Sequence, residues 1–155
     1  EIDPQFLFVT AGYNFRNTEL GAVLGLSQLK KLDGFIAQRQ KNFRKYIDIM
    51  HRFGRDKFYL PCDGYAEEGN SSFCFPFIAK DKYTRDQLIR RFKVNFIEYR
   101  PIVGGNLLRQ PYLAEYNTVK CPYADILHEN GVYIGNNQFV GDKELTLLED
   151  IIRSL

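Results

Sequence analysis

The sequence predicts an α/β (α+β) domain, with one long helix near the N-terminus followed by a small sheet flanked by helices. Three observations predict it. Apolar residues recur at spacings of three and four from about Thr18 to Arg52. Short strand-like runs with alternating side chains follow at Ser71–Ala79, Val94–Arg100 and Val132–Ile134. Helical segments with start signals separate these runs. The order is helix, strand, helix, strand, loop, helix, strand, helix, which suits a small sheet under helices.

The long helix takes its stripe from Leu20, Val23, Leu24, Leu26, Leu29, Leu32, Phe35 and Ile36, and continues with Phe43, Tyr46, Ile47 and Met50. Asn17 or Thr18 can cap it by accepting a bond from an unpaired N–H. A break is expected near Asp33-Gly34, and Gly54 is the expected stop. Gly21 and Gly25 share one face, as close approach of another helix or subunit requires, or as a long helix simply tolerates. Residues 55–70 read as a loop with Pro61, Gly64 and Gly69. In the next run Phe73, Phe75 and Phe77 alternate on one face, and Pro76 predicts an edge position or a bulge. Thr84 and Gln87 form a capping box ahead of Leu88, Ile89 and Phe92. Tyr123–Asn130 is a short helix with Gly131 at its C′ position. Asp142 caps a last helix whose buried stripe is Leu145, Leu148, Ile151 and Ile152.

Composition narrows the function classes. A net charge of +2 makes no case for nucleic acid or a membrane surface. No apolar run approaches the roughly 20 residues that cross a bilayer. The chain opens on Glu1 with no signal-peptide pattern, as a processed or cut piece would. Cys62, Cys74 and Cys121 are odd in number and widely spaced, which suggests reduced thiols in a cytoplasmic protein. His51 and His128 have no partner at metal-ligand spacing, so both are read as structural, His128 on an exposed helix face, and no metal site is expected. Thirteen Phe and no Trp predict a Phe-filled core, or a surface that packs on another domain.

Two stretches carry candidate chemistry. In Gly12-Tyr13-Asn14-Phe15-Arg16-Asn17-Thr18-Glu19-Leu20, Gly12 allows an unusual backbone angle, and an amide and a guanidinium stand just ahead of a helix N-terminus. That placement suits a phosphate or carboxylate, or else is an ordinary cap with a solvated Arg. In residues 100–109, Gly104-Gly105-Asn106 forms a tight turn between Arg100 and Arg109. The turn could hold an anion on its backbone N–H groups, or be a plain turn.

The first stretch, continued by Leu24-Gly25-Leu26-Ser27-Gln28-Leu29-Lys30-Lys31-Leu32-Asp33, resembles the signature of the DegT/DnrJ/StrS family of pyridoxal-phosphate-dependent nucleotide-sugar aminotransferases. Glu98-Tyr99-Arg100-Pro101-Ile102-Val103-Gly104-Gly105-Asn106 and Leu107-Leu108-Arg109-Gln110-Pro111 resemble its branch acting on CDP-4-keto-6-deoxyhexoses, which includes 3-dehydrases. Asn17 and Gly21 depart from the usual pattern.

The resemblance implies the C-terminal small domain of a fold-type I transferase. Residues 1–17 would be a leading segment and cofactor-phosphate loop, and 18–155 the small domain, with 18–52 as connecting helix. It implies pyridoxal phosphate or pyridoxamine phosphate, bound mainly by a large domain that this sequence lacks. It implies a nucleotide-linked keto sugar and glutamate as substrates, a homodimer, and a place in lipopolysaccharide or O-antigen synthesis. Asn14 matches the Asn that contacts the cofactor phosphate of the neighbouring subunit, and Arg16 the Arg near the substrate or cosubstrate anion; both are carried over as cofactor-binding. Arg100 matches the residue that holds the amino-donor carboxylate. Tyr13 and Asn106, from the same motifs, are carried over as substrate-binding. No residue here matches the catalytic Lys or His, so no catalytic residue is assigned and the 155-residue chain is expected to be inactive. The competing expectation is a stand-alone, non-catalytic interaction or regulatory module derived from the family.

Overall fold

The structure is a computed structural model that describes residues 2–13, 15, 17–60, 70–116 and 118–155. A leading segment with a 3-10 turn at Pro4–Phe6 runs to the first helix. Helix α1 spans Glu19–Leu29 and is capped by Thr18, whose Oγ1 accepts from the Gly21 N–H at 3.2 Å. Helix α2 spans Leu32–Ile49 and continues as a π turn at Met50–Gly54. The long helix therefore breaks at Lys30-Lys31, earlier than expected. There the Lys31 N–H bonds the Gln28 carbonyl at 2.9 Å, a 3-10 closure, and the α pattern restarts from Lys31. Gly34 falls in the first turn of α2, where its N–H has no intrahelical partner to lose, so it causes no break.

The sheet has four strands in the order β1-β2-β4-β3, every neighbouring pair antiparallel. Strand β1, Phe58–Tyr59, lies inside the run expected to be loop, because two residues are too few to show a period. Strand β2 is Cys74–Ala79, β3 is Tyr99–Pro101 and β4 is Gly131–Gly135. Among the described residues β1 reaches only Ile78 and Ala79, so none of them pairs with Pro76 on that side, where a strand tolerates proline.

One face of the sheet forms the core. Phe75, Phe77, Ile134 and Tyr99 point into it, and α2, α3 and α5 cover it. Phe43 and Tyr46 of α2 pack on Phe75 with ring centroids 5.1 and 5.0 Å away. Phe58, Phe77 and Phe92 meet edge to face. Leu145, Leu148, Ile151 and Ile152 close the core from α5, Asp142–Ser154, as the stripe predicted. Its cap is Gly141 rather than Asp142, with Glu144 accepting from the Gly141 N–H at 2.9 Å. Phe73 precedes β2 and stays 66% exposed, so the expected three-Phe face holds only two.

Helix α3 spans Lys82–Val94 and is capped by Asp81, not by Thr84. Asp81 accepts from the Thr84 N–H at 2.8 Å and from its hydroxyl at 2.9 Å, which lowers the Asp81 pKa. The helix ends in a Schellman motif. The Ile97 N–H bonds the Phe92 carbonyl at 2.9 Å, and the Phe96 N–H bonds Lys93 at 3.2 Å. This motif uses residues 95–97, which is why β3 starts five residues later than expected. Phe96 holds the left-handed position at φ 55° with its ring 97% exposed. Glycine is favoured there, and a side chain costs about 1–2 kcal/mol. Phe96→Gly is expected to stabilise the chain by about 0.5–1 kcal/mol after the entropy of glycine is subtracted. A thermal melt would show a rise of about 2 °C; an unchanged or lower midpoint would mean that the ring stabilises the fold.

Helix α4, Pro122–Asn130, lies on the other side of the sheet. Gly131 follows it with extended φ and ψ, so it is not the left-handed C′ residue expected. It is glycine for space, since a Cβ would come within 2.4 Å of the Leu127 carbonyl and 2.5 Å of Ile102 Cγ1.

Every described residue from 7 to 34 is exposed. Helix α1 is thus a projecting element, apolar on most sides and covered by none of the described residues. No atom lies within 4 Å of a Cβ placed on Gly25, and at Gly21 only the helix's own cap, Thr18, does. No helix among the described residues is long and apolar enough to cross a membrane.

Candidate functional site

Arg100 is the central residue of edge strand β3. Its register partners put it on one face with Tyr133 and Pro76, opposite the core face of Tyr99 and Ile134. The guanidinium meets Glu98 at 3.4 Å in an exposed pair, a contact worth little in water. Arg100 borders a cleft of about 590 Å³ whose walls include Phe73, Phe96, Glu98, Tyr133 and, deeper, Tyr46. Burial, helped by the charge of Glu144, pushes the Tyr46 phenol up to about 12, so it stays protonated. Its hydroxyl lies 3.5 Å from the Gly135 carbonyl and acts as a donor. The cleft therefore offers a cation at Arg100, carboxylates at Glu98 and Glu144, aromatic edges and, at Tyr46, a protonated phenol.

The turn after β3 is built differently from an anion cradle. Gly104 and Gly105 have φ of 73° and 52°, the conformation glycine permits. The Gly105 N–H bonds the Ile102 carbonyl at 2.9 Å, and the Asn106 N–H points to His128 Nδ1 at 3.3 Å. Two of the donors an anion would need are thus engaged, which favours the plain turn. Asn106 is buried. Its Nδ2 donates to Asp125 at 2.8 Å, and its Oδ1 accepts from the Leu108 N–H at 3.0 Å. Arg109 pairs with Asp125 and, at 2.8 Å, with Glu129. It therefore does not converge with Arg100 on a shared ligand. The hydrogen bond from Asn106, reinforced by Arg109, lowers the Asp125 pKa; Arg109 lowers that of Glu129. His128 is half-buried against Gly105, not on the open helix face expected from the sequence.

Tyr13 is 92% exposed, with its ring 5.5 Å from that of Phe15. Gly12 does not use its left-handed freedom, since the described glycines with positive φ are Gly104 and Gly105. Asn14 and Arg16 lie outside the described residues, as does Cys62. Cys74 and Cys121 are free thiols. Among the described residues, no group of three or more His, Cys, Asp or Glu side chains could hold a metal ion.

Gln110, overlooked in the sequence, is buried and links two distant stretches. Its Nε2 donates to the Phe6 carbonyl at 2.9 Å and lies 3.4 Å from the Gly104 carbonyl. Its Oε1 accepts from the Phe8 N–H at 2.9 Å. A glutamine carries no periodicity or turn signal, and two of its three partners, Phe6 and Phe8, lie more than 100 residues away.

The profile of the DegT/DnrJ/EryC1/StrS aminotransferase family matches residues 2–151. The chain belongs to this family. Over 99% of its length it is 36% identical to the GDP-4-keto-6-deoxy-D-mannose 3-dehydratase of Escherichia coli O55:H7, and it spans 40% of that protein. It is 31% identical to the lipopolysaccharide biosynthesis protein RfbH of Salmonella typhimurium over 72% of the chain and 26% of that protein. Among solved structures, the E. coli GDP-4-keto-6-deoxy-D-mannose-3-dehydratase with bound hydrated PLP superposes with TM-score 0.72 at 32% identity, covering 96% of this chain and 38% of that one. A GDP-4-keto-6-deoxymannose-3-dehydratase with a trapped PLP-glutamate geminal diamine gives TM-score 0.69 at 31% identity, over 96% and 39%. The family expected from the motifs and the small mixed α/β architecture both hold. The chain spans about 40% of these dehydratases.

Proposed function

We propose that this chain is the C-terminal small domain of a pyridoxal-phosphate-dependent enzyme. The enzyme modifies a nucleotide-linked 4-keto-6-deoxy sugar for lipopolysaccharide or O-antigen synthesis, as an aminotransferase or 3-dehydrase with glutamate as amino donor. The observation that carries this reading is the 36% identity over 99% of the chain to a dehydratase of such a sugar. The complete protein is proposed to be a cytoplasmic homodimer. Residues 1–17 serve as leading segment and cofactor-phosphate loop, and 18–155 as the small domain.

The donor chemistry fits a phosphate ester. Asn14, Arg16 and the free N–H groups at the start of α1 all present hydrogens to oxygen. Glu19, in the first turn of α1, opposes an anion and favours contact through the loop ahead of Thr18. Pyridoxal phosphate or pyridoxamine phosphate, when bound, supplies the electron sink for carbanion chemistry. Among the described residues no Lys or His lines the Arg100 cleft, and the role proposed for this chain there is to bind and orient. Arg100 holds the glutamate carboxylate bidentately, and Tyr13 flanks the sugar nucleotide. Asn106, both ends of its amide already bonded, acts by holding the turn below Arg100.

Arg100→Ala in the complete enzyme is expected to raise the KM for glutamate about tenfold to hundredfold, the equivalent of a charge-assisted bond of about 1.5–3 kcal/mol. The KM for the sugar nucleotide should stay within about twofold. Arg100→Lys should restore little, because a point charge cannot form the paired bonds. An unchanged glutamate KM would remove Arg100 from the site. The second reading, a non-catalytic module, draws on the exposed apolar run of residues 20–29. It would require a complete protein that binds no pyridoxal phosphate.

A further inference from the structure

We propose that Gln110 is a positioning residue, whose buried amide clamps the leading segment at Phe6 and Phe8 to the Gly104 turn and so fixes where the chain departs towards residues 12–20 and α1. Gln110 is 1% exposed, and both ends of its side-chain amide face backbone groups. It takes the Phe6 carbonyl and the Phe8 N–H on either side of Leu7, which is extended at φ −83° and ψ 114°. A residue of a neighbouring strand would offer the same donor and acceptor. The glutamine thus supplies a rung of sheet where no strand lies. Its own N–H bonds the Leu107 carbonyl at 2.9 Å, so the clamp stands on a fixed 3-10 turn.

The position of the clamp gives it a role beyond packing. Every described residue from 7 to 34 is exposed, so the clamp holds the base of a projecting arm. Tyr13 follows Phe8 by five residues, at most about 18 Å of extended chain. On its other side, the clamped Gly104 carbonyl closes the turn that β3 and Arg100 lead into. One amide therefore couples the two motif stretches that the proposed function assigns to cofactor and amino donor.

The test uses the complete protein and two variants. Gln110→Met keeps the length and removes every side-chain hydrogen bond. Phe8→Pro removes the Phe8 donor from an exposed residue and leaves the buried glutamine in place. Hydrogen exchange across residues 6–29 is expected to accelerate about tenfold in both, while α5 keeps its protection. The dissociation constant for pyridoxal phosphate should rise about tenfold, with kcat at saturating cofactor within about twofold of the unaltered protein. General destabilisation would not give that split. The cofactor measurement rests on the proposed function. If the unaltered protein binds no pyridoxal phosphate, that function fails, and the clamp is decided by exchange. If Gln110→Met does not fold, Phe8→Pro decides. Unchanged exchange over residues 6–29, or equal acceleration in α5, overturns the proposal.

Discussion

Phe77→Ala is expected to cost about 3–5 kcal/mol of folding stability, the range for truncating a buried aromatic ring. The ring is 1% exposed and meets three others, Phe58, Phe75 and Phe92, at centroid distances of 6.1, 5.1 and 5.7 Å. Its removal strips apolar area from the core. It also leaves a void bounded by strands β1 and β2 and helix α3, none of which can move inward without breaking the sheet register. Against a typical total of about 5–15 kcal/mol, that loss is a large part of what holds a domain of this size folded. Phe73→Ala is the control. It has the same residue type and the same alternation in sequence, but its ring is exposed, and it should shift stability by less than about 1 kcal/mol. Urea titration of both variants measures the contrast as a difference in midpoint at unchanged slope. Equal costs would mean that the core extends to Phe73.

That contrast marks how far the sequence could be read. Periodicity located the long helix, α5 and its four buried residues, and the Phe-rich strand, because each repeats a signal over several turns or residues. It failed where a single hydrogen bond decides. Asp81 outcompetes Thr84 as the cap of α3 because its carboxylate reaches both the N–H and the hydroxyl of Thr84. Residues 95–97, read as strand, are diverted by the Schellman bonds. Gly131 looked like a helix terminator and is instead a residue with no room for a Cβ. In the candidate site, the motif pointed to Arg100, and the structure adds that it lies on the sheet face opposite Tyr99 and borders a cleft. Arg109 and the Gly104-Gly105 turn have the composition of an anion site. The acids that neutralise Arg109 come from α4, so no local pattern reveals them, whereas the carbonyl that engages the Gly105 N–H is that of Ile102 within the turn itself.

Leu24→Asp is expected to leave the folding of this chain untouched and to disable the complete protein. Within the chain Leu24 is 59% exposed, on a helix whose described residues are all exposed, so the substitution should change stability by no more than about 0.5 kcal/mol. A helix that is apolar on most sides is normally a buried one. Leu20, Val23, Leu26 and Leu29 spread around α1 with Leu24, and Gly21 and Gly25 leave one flank open to close approach. If α1 is buried in the assembly of the proposed homodimer, Asp at residue 24 forfeits about 1.5–3 kcal/mol of leucine burial. It also places an unpaired carboxylate in an apolar seam, at a cost of several kcal/mol more. Together these weaken association more than a hundredfold. Sedimentation of the complete protein should show monomers at concentrations where the unaltered protein is dimeric, with activity lost in proportion, while circular dichroism of the 155-residue chain melts as before. A Leu24→Asp protein that remains dimeric and active would show that α1 faces solvent in the assembled enzyme too.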